Sequence, residues 1–424
     1  MNPVGQGSNG VFFAGSSWVR MGVAGHEYLP DPERAATRGQ GGALEEWRSL
    51  ARMGYDYVIV GAGLFGAVFA QQMHQAGRSA VVVERRRHIG GNCFTREHED
   101  TGITVHDYGT HIFHTSDRRV WDYISRFTEF NRYHHRVLTT HRGRVFSMPI
   151  NLGTINAFFG VNLRPSEAEA FLAARREPIE NPRNLEDKAI SLIGRELYEA
   201  FIRGYTIKQW GCDPRELPSS IITRLPVRTS FNDAYFDDPY QGIPVGGYTP
   251  IFERLLEAVP VELGVDFLAD RARWTRAGSK VVYTGPIDRY FDYSLGRLNW
   301  RSVRFEVERR AESDHQGTSV MNYADADVPY TRVHEPKHLH PERPWNPRDT
   351  VIQREFSQVN NDEPYYPVNF ESDRQLYEGY AGLAAREKHV IFGGRLARYK
   401  YYDMHQVIAA ALVAAKKELS GDAG

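Results

Sequence analysis

The chain has 424 residues, 41% of them hydrophobic, enough to bury a large core and to divide into two or three domains. A formal charge of −1 leaves no global basic footprint for nucleic acid and no acidic, disordered character. Two cysteines, Cys93 and Cys212, are too few for a disulfide framework and lack metal-ligand spacing, which suits a reducing cytoplasm; the longest apolar run, Val407 to Ala415, is half what a membrane span needs.

Residues 1–53 read as an unstructured N-terminal extension. They are rich in Gly, Ser and Ala, contain Pro30, Pro32 and a Gly39-Gln-Gly-Gly patch, and make a poor signal peptide because no long apolar core follows Arg20. Glu45 to Met53 is expected to form at most a short helical turn. Met53 stands immediately before the first strand, so the native start is expected near it.

From Tyr55 to Glu84 the order is strand, glycine turn, helix, strand. Gly61 permits a tight turn, Gly63 lets the backbone approach a pyrophosphate, and Gly66 lets the helix pack close to the first strand. The amides at the helix start, with the helix dipole, face the phosphates. Glu84 lies 18 positions after Gly66, where a carboxylate accepts from ribose hydroxyls. Gly90-Gly91-Asn92 follows within a few residues and resembles the flavin-binding branch of Rossmann proteins, which favours FAD over NAD. His111 and His114, three apart, have no third ligand nearby in sequence, so no metal is expected there. Their Asp107-x-Gly109 context suggests a loop beside a cofactor.

Further along, Val120 to Phe159 mixes an amphipathic helix with short strands around Arg136 to Pro149. Asn162 to Thr206 reads mainly as helix, with Ser166 as a predicted N-cap and Glu169 at the capping-box position. Strands are expected at Val261–Phe267, Val281–Thr284, Ser302–Glu308 and Ser319–Asn322. The chain closes with a strand at Lys388–Phe392, the turn Gly393-Gly394-Arg395, and a helix from Met404 to Leu419. The predicted class is α/β: a doubly wound, Rossmann-like FAD-binding domain with an inserted helical domain and an antiparallel-sheet substrate domain. Its expected divisions are 54–135 (first FAD part), 136–160 (sheet segment), 161–215 (helical substrate or lid domain), 216–385 (mixed-sheet substrate domain returning to the FAD domain) and 386–424 (closing FAD part).

Four constellations carry chemistry. Gly204-Tyr205-Thr206-Ile-Lys208-Gln-Trp210-Gly211 suits either a base-stacking wall or an aromatic core corner. Arg224-Leu-Pro-Val-Arg228, with Tyr235 and Tyr240 to Tyr248 after it, is the second, and Pro329-Tyr-Thr-Arg332 the third. Arginines from two segments can clamp a diphosphate bidentately; surface ion pairing is the other fate. The fourth, Phe392 to Gln406, matches a second flavin-phosphate contact, with Asp403 as the N-cap of the last helix.

Taken in order, Tyr57-Val-Ile-Val-Gly61-Ala-Gly63-Leu-Phe65-Gly66, His88-Ile-Gly-Gly91-Asn92, His111-Ile-Phe-His114-Thr, Gly204 to Gly211, Tyr240 to Tyr248, Thr284-Gly-Pro-Ile-Asp288, Pro329 to Arg332, Glu363-Pro-Tyr-Tyr366-Pro and Phe392 to Gln406 closely resemble bacterial UDP-galactopyranose mutases. The resemblance covers everything from Tyr55 onward. It implies an isomerase that interconverts UDP-galactopyranose and UDP-galactofuranose through a covalent sugar adduct at N5 of reduced FAD, feeding galactofuranose into cell-wall polysaccharide. By position, it implies that Arg224 and Arg332 clamp the diphosphate, with Tyr366 and Tyr401 as hydroxyl donors. Phe201, Tyr205, Thr206 and Trp210 would line the uridine and sugar side, Trp210 on a mobile lid, with Tyr235 and Asn322 touching the nucleotide. His114 would lie near flavin N5 with Arg395 beside it. The implied cofactor contacts are Gly61, Gly63, Phe65, Gly66, Glu84, Arg85, Gly91, Asn92, His111, Gly394, Arg395, Asp403 and Met404. A cytoplasmic homo-oligomer reduced by NAD(P)H, with no membrane span and no nucleic acid, completes the expectation. The alternative is an amine-oxidase-type FAD oxidoreductase; a phosphate clamp has no purpose for an amine. A non-catalytic nucleotide-sugar binder would not need a complete FAD site.

Overall fold

A computed structural model describes residues 54–224, 226–359 and 363–421, without the side chains of 223 and 224. The expectations for residues 1–53 lie outside the described residues. Tyr55–Val60 (β1), Leu64–Gln75 (α1) and Ala80–Glu84 (β2) form the first unit. Both strands are rich in Val and almost wholly buried, as strands covered on both faces must be. Between β1 and α1 the chain turns through Gly61 at φ +103°, where a Cβ would also sit 2.2 Å from Thr284 Oγ1. At Gly66 a Cβ would sit 2.0 Å from the Gly61 carbonyl oxygen, so only glycine lets α1 lie this close to β1.

Five parallel strands make the first sheet, in the order Val390–Phe392, Gly278–Tyr283, β1, β2, Val261–Leu263. On one face α1 packs against the helix Met404–Leu419, where Phe65, Val68, Phe69 and Met73 meet Val407, Ile408, Ala411 and Ala415 in one core. The small alanines bring the two helices together; burying each of the larger side chains is worth about 1.5–3 kcal/mol. The other face is covered by an aromatic cluster that includes Trp274, Tyr283, Tyr290 and Phe392.

The second sheet has seven strands, in the order Tyr366–Pro367, Trp300–Arg310, Thr350–Gln358, Arg332–His334, Val320–Tyr323, Val137–His141, Arg144–Met148. All neighbours are antiparallel except Val320–Tyr323 with Val137–His141. Beside it sit the helices Pro165–Ala173 and Leu185–Ile193, a π-helical turn Tyr198–Arg203, and Gly204–Trp210. Leu172, Leu185, Ile190, Ile193 and Phe201 bury against Phe146 and Ile155.

Three local expectations are corrected. Ser166 is not the N-cap: Pro165 occupies the first helical position and Arg164 caps, its N–H donating to Glu167 at 2.7 Å. Proline wins because its φ is preset and its missing N–H costs nothing there. Glu169 instead pairs with Arg176 at 2.6 Å. The strand expected over Val261–Phe267 stops at Leu263, because Gly264 turns at φ +71° and Asp266 caps a 3-10 turn by accepting from Leu268 N–H. Residues 136–160 are not all sheet; Leu152–Phe159 is a helix whose cap, Asn151, accepts from Thr154 N–H at 3.2 Å.

Candidate active site

A cleft of about 330 Å³ opens at the carboxyl ends of the parallel strands, the place where doubly wound sheets bind ligands. Gly61, Gly63, Phe65, Glu84, Arg85, Gly91, Asn92, His111, Gly394, Arg395 and Met404 all line it. Two other residues read as cofactor contacts do not. Gly66 acts behind the cleft through helix–strand packing, and Asp403 caps the last helix, its N–H donating to Gln406 Oε1 at 2.9 Å.

The cleft is shaped by glycines. A Cβ on Gly91 (φ +56°) would lie 3.1 Å from Gly63 Cα, so the two glycine turns pack backbone to backbone. Beneath the closing turn, a Cβ on Gly393 would meet the Phe65 ring at 2.1 Å. Gly63 also caps α1 without a side chain, leaving the first-turn amides to face the cleft. Leu64, Phe65, Cys93 and Val407 add apolar walls. Bare helix-start amides, glycine cradles and an apolar wall fit a flavin dinucleotide.

Glu84 lies at the end of β2 but is already engaged: Oε2 accepts from Ala62 N–H and Oε1 from Arg86 N–H, both at 2.8 Å. A carboxylate has about four lone-pair sites, so acceptor capacity remains for hydroxyls. Arg86, which sequence reasoning missed in favour of Arg85, is the more enclosed of the two, with 18% side-chain exposure against 41%. It pairs with Glu363 at 2.7 Å, donates to Asn92 Oδ1 at 2.9 Å and lies 4.1 Å over the Tyr108 ring. Strand alternation gave no signal for it, because β2 is buried throughout and ends at Glu84. His111 is tied to Gly109 O at 2.7 Å, and desolvation pushes its imidazole down to about 4.

Most residues expected on the substrate side lie on or beside the second sheet. Arg332 and Asn322 are register partners on adjacent strands. The Arg332 Nη1 lies 3.3 Å from both oxygens of Glu355, which also accepts from Thr331 Oγ1 at 2.9 Å and meets His334 Nε2 at 3.1 Å. Burial alone would raise the Glu355 carboxyl, but the Arg332 charge and these bonds outweigh it and hold the group at about 2. The guanidinium sits 5.6 Å over the Tyr205 ring. Tyr205 Oη and Asn322 Oδ1 are both buried without a hydrogen-bond partner, and buried polar atoms of this kind call for a ligand or water. Tyr366 and Tyr401 stack at 5.3 Å, and the Arg395 guanidinium lies 5.5 and 5.3 Å from their rings. Arg395 donates to the carbonyls of Tyr402 and Tyr365.

Thr206 is buried and Trp210 ends its helix against the insert core. Phe201, expected on the substrate wall, is a core residue with 3% exposure whose ring meets Phe146 at 5.0 Å and Phe158 at 5.4 Å. Its apolar ring is buried among the aromatic and aliphatic side chains of the insert core rather than left open to a ligand. Tyr235 packs edge-on against His135 at 5.3 Å. Arg224 ends the short turn Ser219–Arg224, and its side chain lies outside the described residues. Lys208, also missed, donates to the carbonyls of Tyr323, Asp325 and Tyr330 at 2.7, 2.8 and 3.1 Å and so ties the Tyr205–Trp210 helix to the strand that carries Asn322. Its desolvation lowers the ammonium to about 8.

His111 and His114 point to different partners. His114, on a short strand paired with Tyr240–Gly242, does not line the cleft; its Nδ1 lies 2.6 Å from Asp238 Oδ2 and its ring 5.2 Å from that of His405. Among the described residues no helix is long and apolar enough to cross a membrane.

The parallel sheet with its glycine-lined cleft, joined to a second sheet that presents an arginine, defines an α/β FAD-binding type of fold with additional domains. Comparison with known proteins narrows this. The family model for UDP-galactopyranose mutase matches residues 200–401, and that for an NAD(P)-binding Rossmann-like domain matches residues 59–127. A probable UDP-galactopyranose mutase of Klebsiella pneumoniae is 43% identical over 369 residues, covering 86% of this chain and 94% of that one. A dTDP-fucopyranose mutase of Escherichia coli is 38% identical over 368 residues, covering 85% and 97%. A crystal structure of reduced UDP-galactopyranose mutase shares the fold, with a TM-score of 0.65 at 16% identity over 86% of this chain and 96% of that one. The chain belongs to the UDP-galactopyranose mutase family and is an isomerase.

Proposed function

We propose that the protein interconverts UDP-galactopyranose and UDP-galactofuranose, with reduced FAD held in the glycine-lined cleft. The observation that carries the reading is the Arg332 guanidinium, with the unpartnered Asn322 Oδ1 on the adjacent strand and the unpartnered Tyr205 Oη of the ring it covers, on the helix Gly204–Trp210. When bound, reduced FAD supplies a nucleophilic nitrogen for the anomeric carbon of the sugar.

The chain's own residues do the rest by placement and charge. Gly61, Gly63, Gly91 and the α1 amides cradle the dinucleotide phosphates, and Arg85, Asn92, His111, Gly394 and Met404 complete the cofactor wall. Arg332 offsets the charge that develops on the departing diphosphate, an interaction stronger in the transition state than in the ground state. Arg224 is its proposed counterpart, and Tyr366 and Tyr401 donate hydroxyls to the same phosphates. Tyr205, Thr206 and Trp210 present the uridine wall, with Tyr235 and Asn322 adding contacts. Glu355 holds Arg332 in place, while 30% of the arginine side chain's surface stays open to a second anion. Reduction by NAD(P)H, homo-oligomerisation and a cytoplasmic role in galactofuranose supply belong to the same proposal.

The test is incubation of UDP-galactofuranose with the purified flavoprotein, with and without dithionite, followed by separation of the nucleotide sugars. Conversion to the pyranose only in the reduced sample supports the reading. A yellow, reducible protein that converts nothing refutes it. Running dTDP-fucopyranose alongside separates the two activities named among the relatives.

A further inference from the structure

We propose that Asp238 is a positioning residue for the reaction, holding the His114 imidazole in the tautomer that carries its proton on Nδ1 and leaves Nε2 free for proton exchange. The inference rests on the mutase reading and on the contact of the His114 ring with His405, which follows the cleft-lining Met404 in the chain. Three contacts fix the ring. Asp238 Oδ2 lies 2.6 Å from Nδ1, Phe236 stacks on the imidazole face at 3.7 Å and 11°, and His405 meets it edge-on at 5.2 Å. Phe236 and Asp238 belong to one short segment, so a single loop grips the ring by face and edge.

The neighbouring aspartate cannot substitute. Asp237 is turned outward, 71% exposed, and pairs with Arg228 at 2.9 Å, whereas Asp238 is 25% exposed and His114 13%. Among the described residues, the other charged or titratable groups around the ring are Asp403 and His405, whose polar atoms come within 4.8 Å of those of His114, and His135 behind Phe236. Met404, between Asp403 and His405 in the chain, lines the cofactor cleft, so the groups that meet the imidazole flank a cleft residue.

The chemistry needs such a group. Opening the six-membered ring breaks the bond between the anomeric carbon and the ring oxygen, which must then gain a proton. Closing the five-membered ring joins the 4-hydroxyl oxygen to the anomeric carbon, and that hydroxyl must lose one. An imidazolium that gives its Nε2 proton at the first step and takes one back at the second ends unchanged, so no proton is consumed in either direction. A carboxylate on Nδ1 stabilises the imidazolium and fixes which nitrogen exchanges.

The test compares the FAD-loaded parent with Asp238→Asn, His114→Gln and the double variant. Proton NMR of the parent is expected to show a strongly downfield imidazole N–H resonance that disappears in both single variants. In the reduced enzyme, Asp238→Asn is expected to lower kcat about a hundredfold with KM and flavin content unchanged, within the range of general acid–base contributions. The double variant should be no slower than His114→Gln alone. Absence of the resonance in the parent, an Asp238→Asn kcat within threefold of the parent, or multiplying effects in the double variant would each overturn the proposal. A parent that interconverts no nucleotide sugar overturns the mutase reading and the role of the dyad together, even with the resonance present. A parent that turns over beside an equally fast Asp238→Asn overturns the dyad alone.

Discussion

Replacing Glu355 with glutamine tests whether the arginine of the proposed clamp is held by a buried charge. Glu355 is 3% exposed, and its carboxyl stands at about 2 rather than its ordinary 4.5. By linkage, this lowering corresponds to about 3 kcal/mol of folding stability at neutral pH. The sign is that of a depressed carboxyl: the contribution is complete above 4.5 and is lost as pH falls from there through 2. Removing one member of a buried pair costs a similar amount, about 3–5 kcal/mol, because the other charge is stranded. Glu355→Gln keeps the shape and the Thr331 bond but strands Arg332, so a loss of about 3 kcal/mol is expected in urea unfolding at pH 7. The gap to the parent should narrow steadily between pH 5 and pH 2, since the parent then loses the same charge. UDP should recover more stability in the variant than in the parent, its diphosphate supplying the missing anion. A variant within 0.5 kcal/mol of the parent at pH 7, or a gap independent of pH, would show that Glu355 does not hold Arg332 by charge.

Arg332→Ala should lower kcat by about 10²–10³ while leaving the flavin bound, read by steady-state kinetics and the absorbance of the purified protein. Gly393→Ala places a methyl 2.1 Å from the Phe65 ring; loss of bound FAD without unfolding is expected, and flavin occupancy at parental levels would show that the turn has room. Lys208→Met breaks three carbonyl contacts that tie the aromatic helix to the Asn322 strand. KM for the nucleotide sugar should rise several-fold with kcat little changed, and an unaltered KM would separate this lysine from the substrate wall.

The cofactor cleft was legible in the sequence because steric exclusion acts locally. Gly61, Gly63 and Gly66 can be read at fixed offsets, since a side chain at Gly61 or Gly66 collides with atoms of the same strand–turn–helix unit or its neighbouring strand. The final helix, Met404–Leu419, was legible for a similar reason: its cap and its apolar stripe are contiguous. What escaped is charge pairing across the chain. Glu355 lies 23 residues from Arg332, Asp238 lies 124 from His114, and Lys208 reaches carbonyls 115 to 122 residues away. No periodicity selects such partners, so an arginine in a motif was visible while the acid that aims it was not. Burial along its strand does not mark Glu355 out either, since Thr350 to Gln353 are buried on both faces. A buried carboxylate demands a cation opposite, and the register Arg332↔Glu355 between adjacent strands is how the fold meets that demand. The pairing of the strand that carries Arg332 is therefore favoured by an unfavourable burial that this register relieves.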